Sequence, residues 1–183
     1  MLTNFLVFVF NLVSTFLGSM LVLRTYIFYQ RMSIFDPFPR AVWNCTNWLV
    51  VPLSSVIKPS RRWEWASLLG ALLMALVVVL SLMQTTGLPA VAWMIPVASV
   101  FLVLRWTLEM MLWGVIIFAV LSWFQTNSSL YGLMWRLVNP FLGPISEKIP
   151  TIGRIDISPI IVFIVINCLL YWVTPISRGY LIF

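Results

Sequence analysis

The ionisable side chains of this sequence are few, and most of the acids stand beside a cation. The chain of 183 residues carries 11 lysines and arginines, 5 aspartates and glutamates, and no histidine. An arginine next to a carboxylate can form an ion pair, bind a lipid phosphate or hold a partner protein. Three such pairs are the candidate sites, and they are Arg62 with Glu64, Arg154 with Asp156, and Arg105 with Glu109.

Enzymatic chemistry has little support in these residue types. Without histidine the chain lacks the usual general base and the commonest metal ligand. The two cysteines, Cys45 and Cys168, are predicted at different depths, so no disulfide is expected between them. Cys168 is interpreted as a packed residue, whereas Cys45 stays open as an acylation or redox site. The sequence therefore predicts a non-enzyme with no metal and no cofactor.

Arg105 and Glu109 lie one helical turn apart within a long apolar run. Ionisable residues inside a membrane span are by default candidates for function. The alternative is structural, with Arg105 extending toward the headgroups and Glu109 pairing with it. Both interpretations stay open.

The other two pairs come just before apolar runs, where helices should start. Ser158 suits an N-cap and Pro159 the first helical position, with Asp156 close to the positive end of the helix dipole. Glu64 and Ser67 form a weaker version of this start. The arginines are then either headgroup-binding cations beside a cap, or part of a hinge or partner contact.

Both pairs belong to a segment that occurs twice at an offset of 92 residues. Residues 47–67 align with 139–159 without a gap and share five identities in 21 positions. This periodicity predicts two repeats, residues 1–87 and 88–183. The matched residues are Asn47 with Asn139, Pro52 with Pro144, Ser54 with Ser146, Ile57 with Ile149 and Arg62 with Arg154, and Glu64 falls opposite Asp156.

The elements that must position these residues are membrane spans. Hydrophobic residues make up 62% of the chain and charged residues 9%, against about 25% charged in soluble domains. Runs long enough to cross a bilayer predict an all-α membrane protein with four spans. The predicted spans are residues 5–28, 66–83, 97–124 and 159–173. A fifth span over residues 90–104 is the alternative.

The basic residues predict an orientation. They gather between spans one and two and between spans three and four, whereas residues 84–96 carry none. By the positive-inside rule both basic connections are cytoplasmic and both termini lie on the periplasmic side. The two repeats would then have parallel orientations.

The basic connections are too apolar for ordinary loops. Residues 41–57 and 133–149 are rich in Trp, Leu and Val but too short to cross, which favours re-entrant or interfacial segments. Pro52 and Pro144 predict a kink or break in each. Cations interleaved with tryptophan predict contact with anionic lipid headgroups and no binding of nucleic acid.

The second copy resembles the signature of the YggT family, also called YlmG, of small bacterial and plastid membrane proteins. Leu121–Trp123 also looks like the family, whose bacterial members similarly carry two copies. The first copy departs, since Trp48 follows Asn47 where the signature has proline, so the second copy is the better candidate for binding. The residues that carry the resemblance are Asn139, Pro140, Pro144, Ile149, Pro150, Asp156, Ser158 and Pro159.

The resemblance implies a multi-pass inner-membrane protein linked to osmotic or envelope stress in bacteria. Plastid relatives are linked to cytochrome complex maturation and to thylakoid or nucleoid organisation. Two functions stay open: a scaffold or assembly factor that binds another membrane protein or a second copy of itself, and an oligomeric ion or solute pathway. The motif surface with Asn139 and Arg154 is the candidate site of the first, and Glu109 that of the second.

Overall fold

The computed structural model describes residues 2–57, 60, 63–86, 93–123, 129–147 and 158–179. These residues form helices and no strand, as the sequence predicts. The helices are α1 (Leu2–Tyr29), α2 (Pro37–Val56), α3 (Trp65–Thr86), α4 (Met94–Trp123), α5 (Ser129–Ser146) and α6 (Ser158–Ser177).

Four of the described helices are long and apolar enough to cross a membrane, and they correspond to the four predicted spans. The alternative fifth span is wrong for the part that is described, because Met94–Leu104 forms the first turns of the continuous helix α4. The candidate spans are Phe5–Tyr29, Trp65–Gln84, Met94–Ser122 and Ser158–Ser177.

The helix order is a long helix, a connecting helix and a further span, and this order occurs twice. Leu2 begins α1 and Met94 begins α4, 92 residues later. Pro37 and Ser129, which begin the connecting helices α2 and α5, are also 92 residues apart. Two long apolar helices therefore each precede a shorter helix that lacks the hydropathy of a span.

Both connecting helices run through their prolines, so the predicted break at Pro52 and Pro144 is not confirmed. Pro52 lies four residues before the end of α2, and α5 contains Pro140 and Pro144. A proline removes the hydrogen bond to the carbonyl four residues earlier, but packing of the helix against its neighbours can outweigh this single loss. Here the serine hydroxyls of Ser55 and Ser146 donate to carbonyls of the last turn, at 2.6 and 3.0 Å.

The chain divides into two compact units. Unit 1 comprises residues 1–107 and 173–183, and unit 2 comprises residues 108–172. In unit 1, α1 packs along α3, and α2 packs against both. A tight contact in unit 1 places the buried ring of Trp106 where a Cβ on Gly18 would lie, only 2.2 Å away.

A left-handed residue ends α1 and turns the chain toward α2. Arg31 has φ 52°, its N–H donates to the Phe28 carbonyl at 3.0 Å, and the Met32 N–H donates to the Ile27 carbonyl at 3.2 Å. This pair of bonds is a common way to cap the last carbonyls of a helix. Because Met32 is buried beneath the turn, the turn fixes where α2 starts relative to α1.

Candidate functional site

A buried arginine on α1 forms the most connected polar cluster among the described residues. Arg24 Nε donates to Glu64 Oε2 at 2.8 Å, and Arg24 Nη2 donates to Glu64 Oε1 at 2.9 Å. The two bonds form the parallel, two-pronged pairing that suits the planar guanidinium. Arg24 is 5% exposed and Glu64 8%, so the ion pair is almost fully removed from solvent.

Two residues of α2 accept the remaining hydrogen bonds of this cluster. Arg24 Nη1 donates to Thr46 Oγ1 at 3.0 Å and to Asn47 Oδ1 at 2.8 Å. Thr46 in turn donates to the Val42 carbonyl at 2.7 Å, which fixes its oxygen as an acceptor for the arginine. One guanidinium thus ties α1 to the start of α3 and to the middle of α2.

Glu64 immediately precedes α3 and also accepts hydrogen bonds from the first turn of that helix. Its backbone carbonyl accepts from the Leu68 N–H, and its Oε2 accepts from Ser67 Oγ at 2.6 Å. A carboxylate at this position lies at the positive end of the helix dipole. Glu64 therefore starts α3 and neutralises Arg24 at the same time.

The ring of Trp43 covers the open face of the guanidinium. Arg24 Cζ lies 4.9 Å from the centroid of the Trp43 ring, within the range of a cation–π contact. The arginine thus makes four hydrogen bonds with its five N–H donors and has an indole over one face. The cluster of Arg24, Trp43, Thr46, Asn47 and Glu64 is accordingly a structural lock and has no room for a substrate.

The sequence interpretation missed this role of Arg24. It paired Glu64 with Arg62, which lies outside the described residues, whereas the cation bound to Glu64 comes from α1, 40 residues earlier. A signal was present: Arg24 lies five residues inside the candidate span Phe5–Tyr29. An ionisable residue in a span needs a partner, so the position of Arg24 alone indicates that an acid elsewhere in the chain pairs with it.

The corresponding part of unit 2 has an aromatic and aliphatic cluster. Phe118 of α4 packs against Tyr131 and Trp135 of α5, with ring centroids 5.4 and 5.5 Å apart. Val138, which the 92-residue offset matches with Thr46, is fully buried. At the same offset Ile116 stands where unit 1 has Arg24, so the guanidinium and its hydroxyl acceptor Thr46 are both matched by apolar residues.

The predicted motif residues of α5 lie on its outer surface. Asn139, Pro140 and Pro144 are all exposed, whereas Asn47 on α2 is half-buried and Pro52 is exposed. Asn139 lies against Gly143, whose missing side chain leaves room for the amide oxygen. Among the described residues no side-chain hydrogen bond engages the exposed Asn139.

The other predicted site residues divide into described and undescribed ones. Ser158 begins α6 and is followed by Pro159, and both are buried. Arg105 and Glu109 are half-buried on α4. No group of His, Cys, Asp and Glu in the described ranges could hold a metal. Four predicted site residues lie outside the described residues, namely Arg62, Pro150, Arg154 and Asp156.

An apolar groove opens beside the arginine cluster in unit 1. Its volume is about 460 Å³, and it begins where α2 ends and α3 begins. Tyr29, Trp63 and Trp65 form a ladder of half-exposed rings at this end of the unit, with successive centroids 5.1 and 6.3 Å apart. The groove is lined by Ile57, Trp65, Leu68, Leu69, Leu72, Val100 and Val103.

Several known proteins resemble this chain. Residues 97–177 match the family model described as CCB3/YggT. The chain is 26% identical over 164 residues to "Uncharacterized protein YggT" of Escherichia coli K12, covering 89% of this chain and 86% of that protein. It is 27% identical over 147 residues to an uncharacterized protein of Haemophilus influenzae, covering 80% and 78%. No solved structure matches it.

Proposed function

We propose that this chain, whose residues 97–177 match the CCB3/YggT family model, is a non-enzymatic scaffold of the bacterial inner membrane. It would bind another integral membrane protein through the outer face of α5, at the cytoplasmic membrane surface. Support for the orientation comes from the basic residues within and after both connecting helices, such as Arg40, Lys58, Arg136 and Lys148. A role in envelope or osmotic stress would be exerted through such assembly.

The observation that carries this proposal is the exposed motif on α5. Asn139, Pro140 and Pro144 lie outward on a helix whose other face is buried through Leu137, Val138 and Leu142. Motif residues that support only the fold would be expected to face inward. An exposed asparagine beside prolines instead offers a rigid, partly polar surface to a partner.

The pathway alternative has no comparable support in the described residues. The arginine cluster is closed by its own partners, and the groove beside it is lined by apolar side chains. An ion path needs polar groups or carbonyls along a continuous route. Neither feature supplies such a route.

Site-specific photo-crosslinking in native membranes tests the proposal. A photoreactive residue replaces Arg136, which is exposed one turn from Asn139, and the matched control replaces the exposed Tyr171 of α6. We expect position 136 to crosslink one discrete membrane protein that position 171 does not capture. Adding Asn139→Ala should abolish that crosslink, whereas Asn167→Ala on α6 should leave it intact.

Three results would overturn the scaffold proposal. A crosslink from position 136 to lipid alone, or only to a second copy of this chain, would show that no other protein binds at this surface. Retention of the crosslink with Asn139→Ala would show that the motif asparagine does not contribute to partner binding. Ion flux through liposomes that contain only this protein, abolished by Glu109→Gln, would favour the pathway instead.

A further inference from the structure

An exposed amide lies halfway along the last candidate span. Asn167 is the tenth of the 20 residues of Ser158–Ser177, so at the helical rise it is about 15 Å from either end. Gln84 and Ser122, the exposed amide and serine side chains of the other described spans, are each the last residue of a span. Of these three groups the amide of Asn167 is the one at hydrocarbon depth, and its short side chain cannot extend to the headgroups.

This amide is only partly satisfied within the described residues. Asn167 Nδ2 donates to the Phe163 carbonyl at 2.8 Å, one turn earlier on the same helix. An amide has two N–H donors and an oxygen that accepts, so the second N–H and the oxygen still need partners. Lipid tails offer none, and a polar group without hydrogen bonds in an apolar medium is costly. A partner that carries both a donor and an acceptor at the same depth would satisfy the amide.

Asn167 belongs to a stripe of exposed side chains along α6. The stripe consists of Ile160, Ile164, Asn167 and Tyr171, which are spaced by four, three and four residues. This alternation is the 3.5-residue repeat with which two helices pack along a left-handed seam. The buried residues of α6, such as Ile166, lie on another face. The stripe therefore has the geometry of a helix–helix contact with a polar residue inside it.

From these observations we propose that α6 forms the interface of a parallel homodimer, in which the Asn167 amides of two copies hydrogen-bond to each other. A second copy inserts in the same orientation, so its Asn167 lies at the same depth. Across a two-fold axis the remaining N–H of each amide donates to the oxygen of the other. Interhelical hydrogen bonds of this kind help to join helices in membranes, where lipid tails are as apolar as the helix surface. The stripe carries no charge that would select an oppositely charged protein.

This interface goes beyond the scaffold proposal, which places a different protein on α5. The two proposals fail separately. Asn139→Ala should abolish the crosslink from position 136 and leave the dimer intact, whereas Asn167→Leu should weaken the dimer and leave that crosslink intact. A photoreactive residue at position 171, which belongs to the stripe, should capture a second copy of this chain.

Energy transfer between copies in liposomes tests the dimer. Full-length protein with a donor fluorophore is mixed with protein that carries an acceptor, and lipid is added until the pairs dissociate. Asn167→Leu should weaken dimerisation roughly tenfold, because two symmetric hydrogen bonds are lost and each contributes about a factor of three. Asn167→Gln is the matched control, since it keeps the amide and should retain most of the affinity.

Cysteine crosslinking in native membranes tests which face of α6 is covered. In a chain whose Cys45 and Cys168 are replaced by alanine, a new cysteine is introduced by Ile164→Cys on the stripe or by Leu169→Cys as the control. Ile164 and Leu169 are similarly exposed, at 52% and 47%. Their separation of five residues places them about 140° apart around the helix. We expect oxidation to link the Ile164→Cys protein into a disulfide dimer and to leave the Leu169→Cys protein monomeric.

The proposal fails if Asn167→Leu dimerises as tightly as the unchanged protein, because the amide would then not hold the copies together. Equal disulfide yields from positions 164 and 169 would overturn it too, since they indicate collisions without a defined interface. A crosslink from position 164 to another protein in place of a second copy would assign the stripe to a different partner. A loss of helical circular dichroism in Asn167→Leu would transfer the decision to the two cysteine variants, which keep the amide.

Discussion

The connecting helices α2 and α5 place a tryptophan at matching positions but use it differently. Trp43 of α2 lies over the guanidinium of Arg24, whereas Trp135 of α5 packs against the ring of Phe118. Each tryptophan takes its partner from the long helix that precedes it. The first contact is a cation–π interaction, and the second is a contact between two aromatic rings.

The two asparagines show what this difference does to the surface. Asn47 is half-buried and accepts a hydrogen bond from Arg24 at 2.8 Å. Asn139, at the matching position, is exposed. Once the buried cation is absent, the same residue type becomes available for an external contact. One connecting helix is therefore committed to the fold, while the other can serve binding.

The largest expected effect comes from removing the cation of the lock. Arg24→Leu leaves the carboxylate of Glu64 buried without its partner, which should cost about 3–5 kcal/mol of stability. At a few degrees per kcal/mol, the melting temperature should fall by roughly 10 °C. Circular dichroism melting in detergent micelles measures it. The matched control is Arg136→Leu, an exposed arginine of α5, whose melting temperature should change little.

A double substitution identifies the source of that loss. Glu64→Leu removes the buried carboxylate, so combining it with Arg24→Leu should cost less than the two single losses added together. A strictly additive result would show that the two side chains do not stabilise each other. The buried ion pair would then not be what distinguishes the two connecting helices.

The asparagines provide the next largest effect and the sharpest contrast. Asn47→Ala removes an acceptor from a buried guanidinium and should destabilise the protein by about 1–3 kcal/mol. Asn139→Ala should change the stability by less than about 0.5 kcal/mol, since its side chain is exposed. Equal losses in the two variants, measured by the same melting experiment, would show that Asn139 also supports the fold.

Two glycines test how tightly each unit is packed. A Cβ on Gly18 would lie 2.2 Å from the buried Trp106 ring, so Gly18→Ala should cost about 1–3 kcal/mol by overpacking. Gly132 of α5 has nothing within 4 Å of that position, so Gly132→Ala should be neutral or stabilise the helix by up to about 1 kcal/mol. A stabilised Gly18→Ala variant would mean that the Trp106 ring can move aside.

The spans could be predicted from sequence because membrane thickness imposes a local rule on length and hydropathy. Leu2–Tyr29 and Met94–Trp123 satisfy that rule without reference to the rest of the chain. The pairing of Arg24 with Glu64 obeys no such rule. It joins residues 40 positions apart, and nearer cations such as Arg62 compete for the same carboxylate on sequence distance alone.

The prolines do not end the connecting helices, so the predicted break is not confirmed, and the reason again lies outside the local sequence. Proline lowers the intrinsic stability of a helix, but packing against neighbouring helices can outweigh one lost hydrogen bond. In α2 the buried face through Val42, Thr46 and Val50 holds the helix in place before Pro52 is reached. The exposure of Asn139 could likewise not be predicted, because Asn139 and Asn47 are aligned in sequence and the cation that binds Asn47 comes from a different helix.

The smallest expected difference concerns the tryptophans. Trp43→Leu removes the ring above Arg24 and with it a cation–π contact of about 0.5–2 kcal/mol, whereas Trp135→Leu removes an aromatic pair of about 0.5–1.5 kcal/mol. The expected losses of stability in the two variants overlap. The measurement that distinguishes them is whether each loss depends on the charge of Arg24. In an Arg24→Leu background, Trp43→Leu should lose most of its effect, while Trp135→Leu should keep all of its own. If both tryptophans respond alike to the loss of Arg24, the two connecting helices do not differ in the way their contacts indicate.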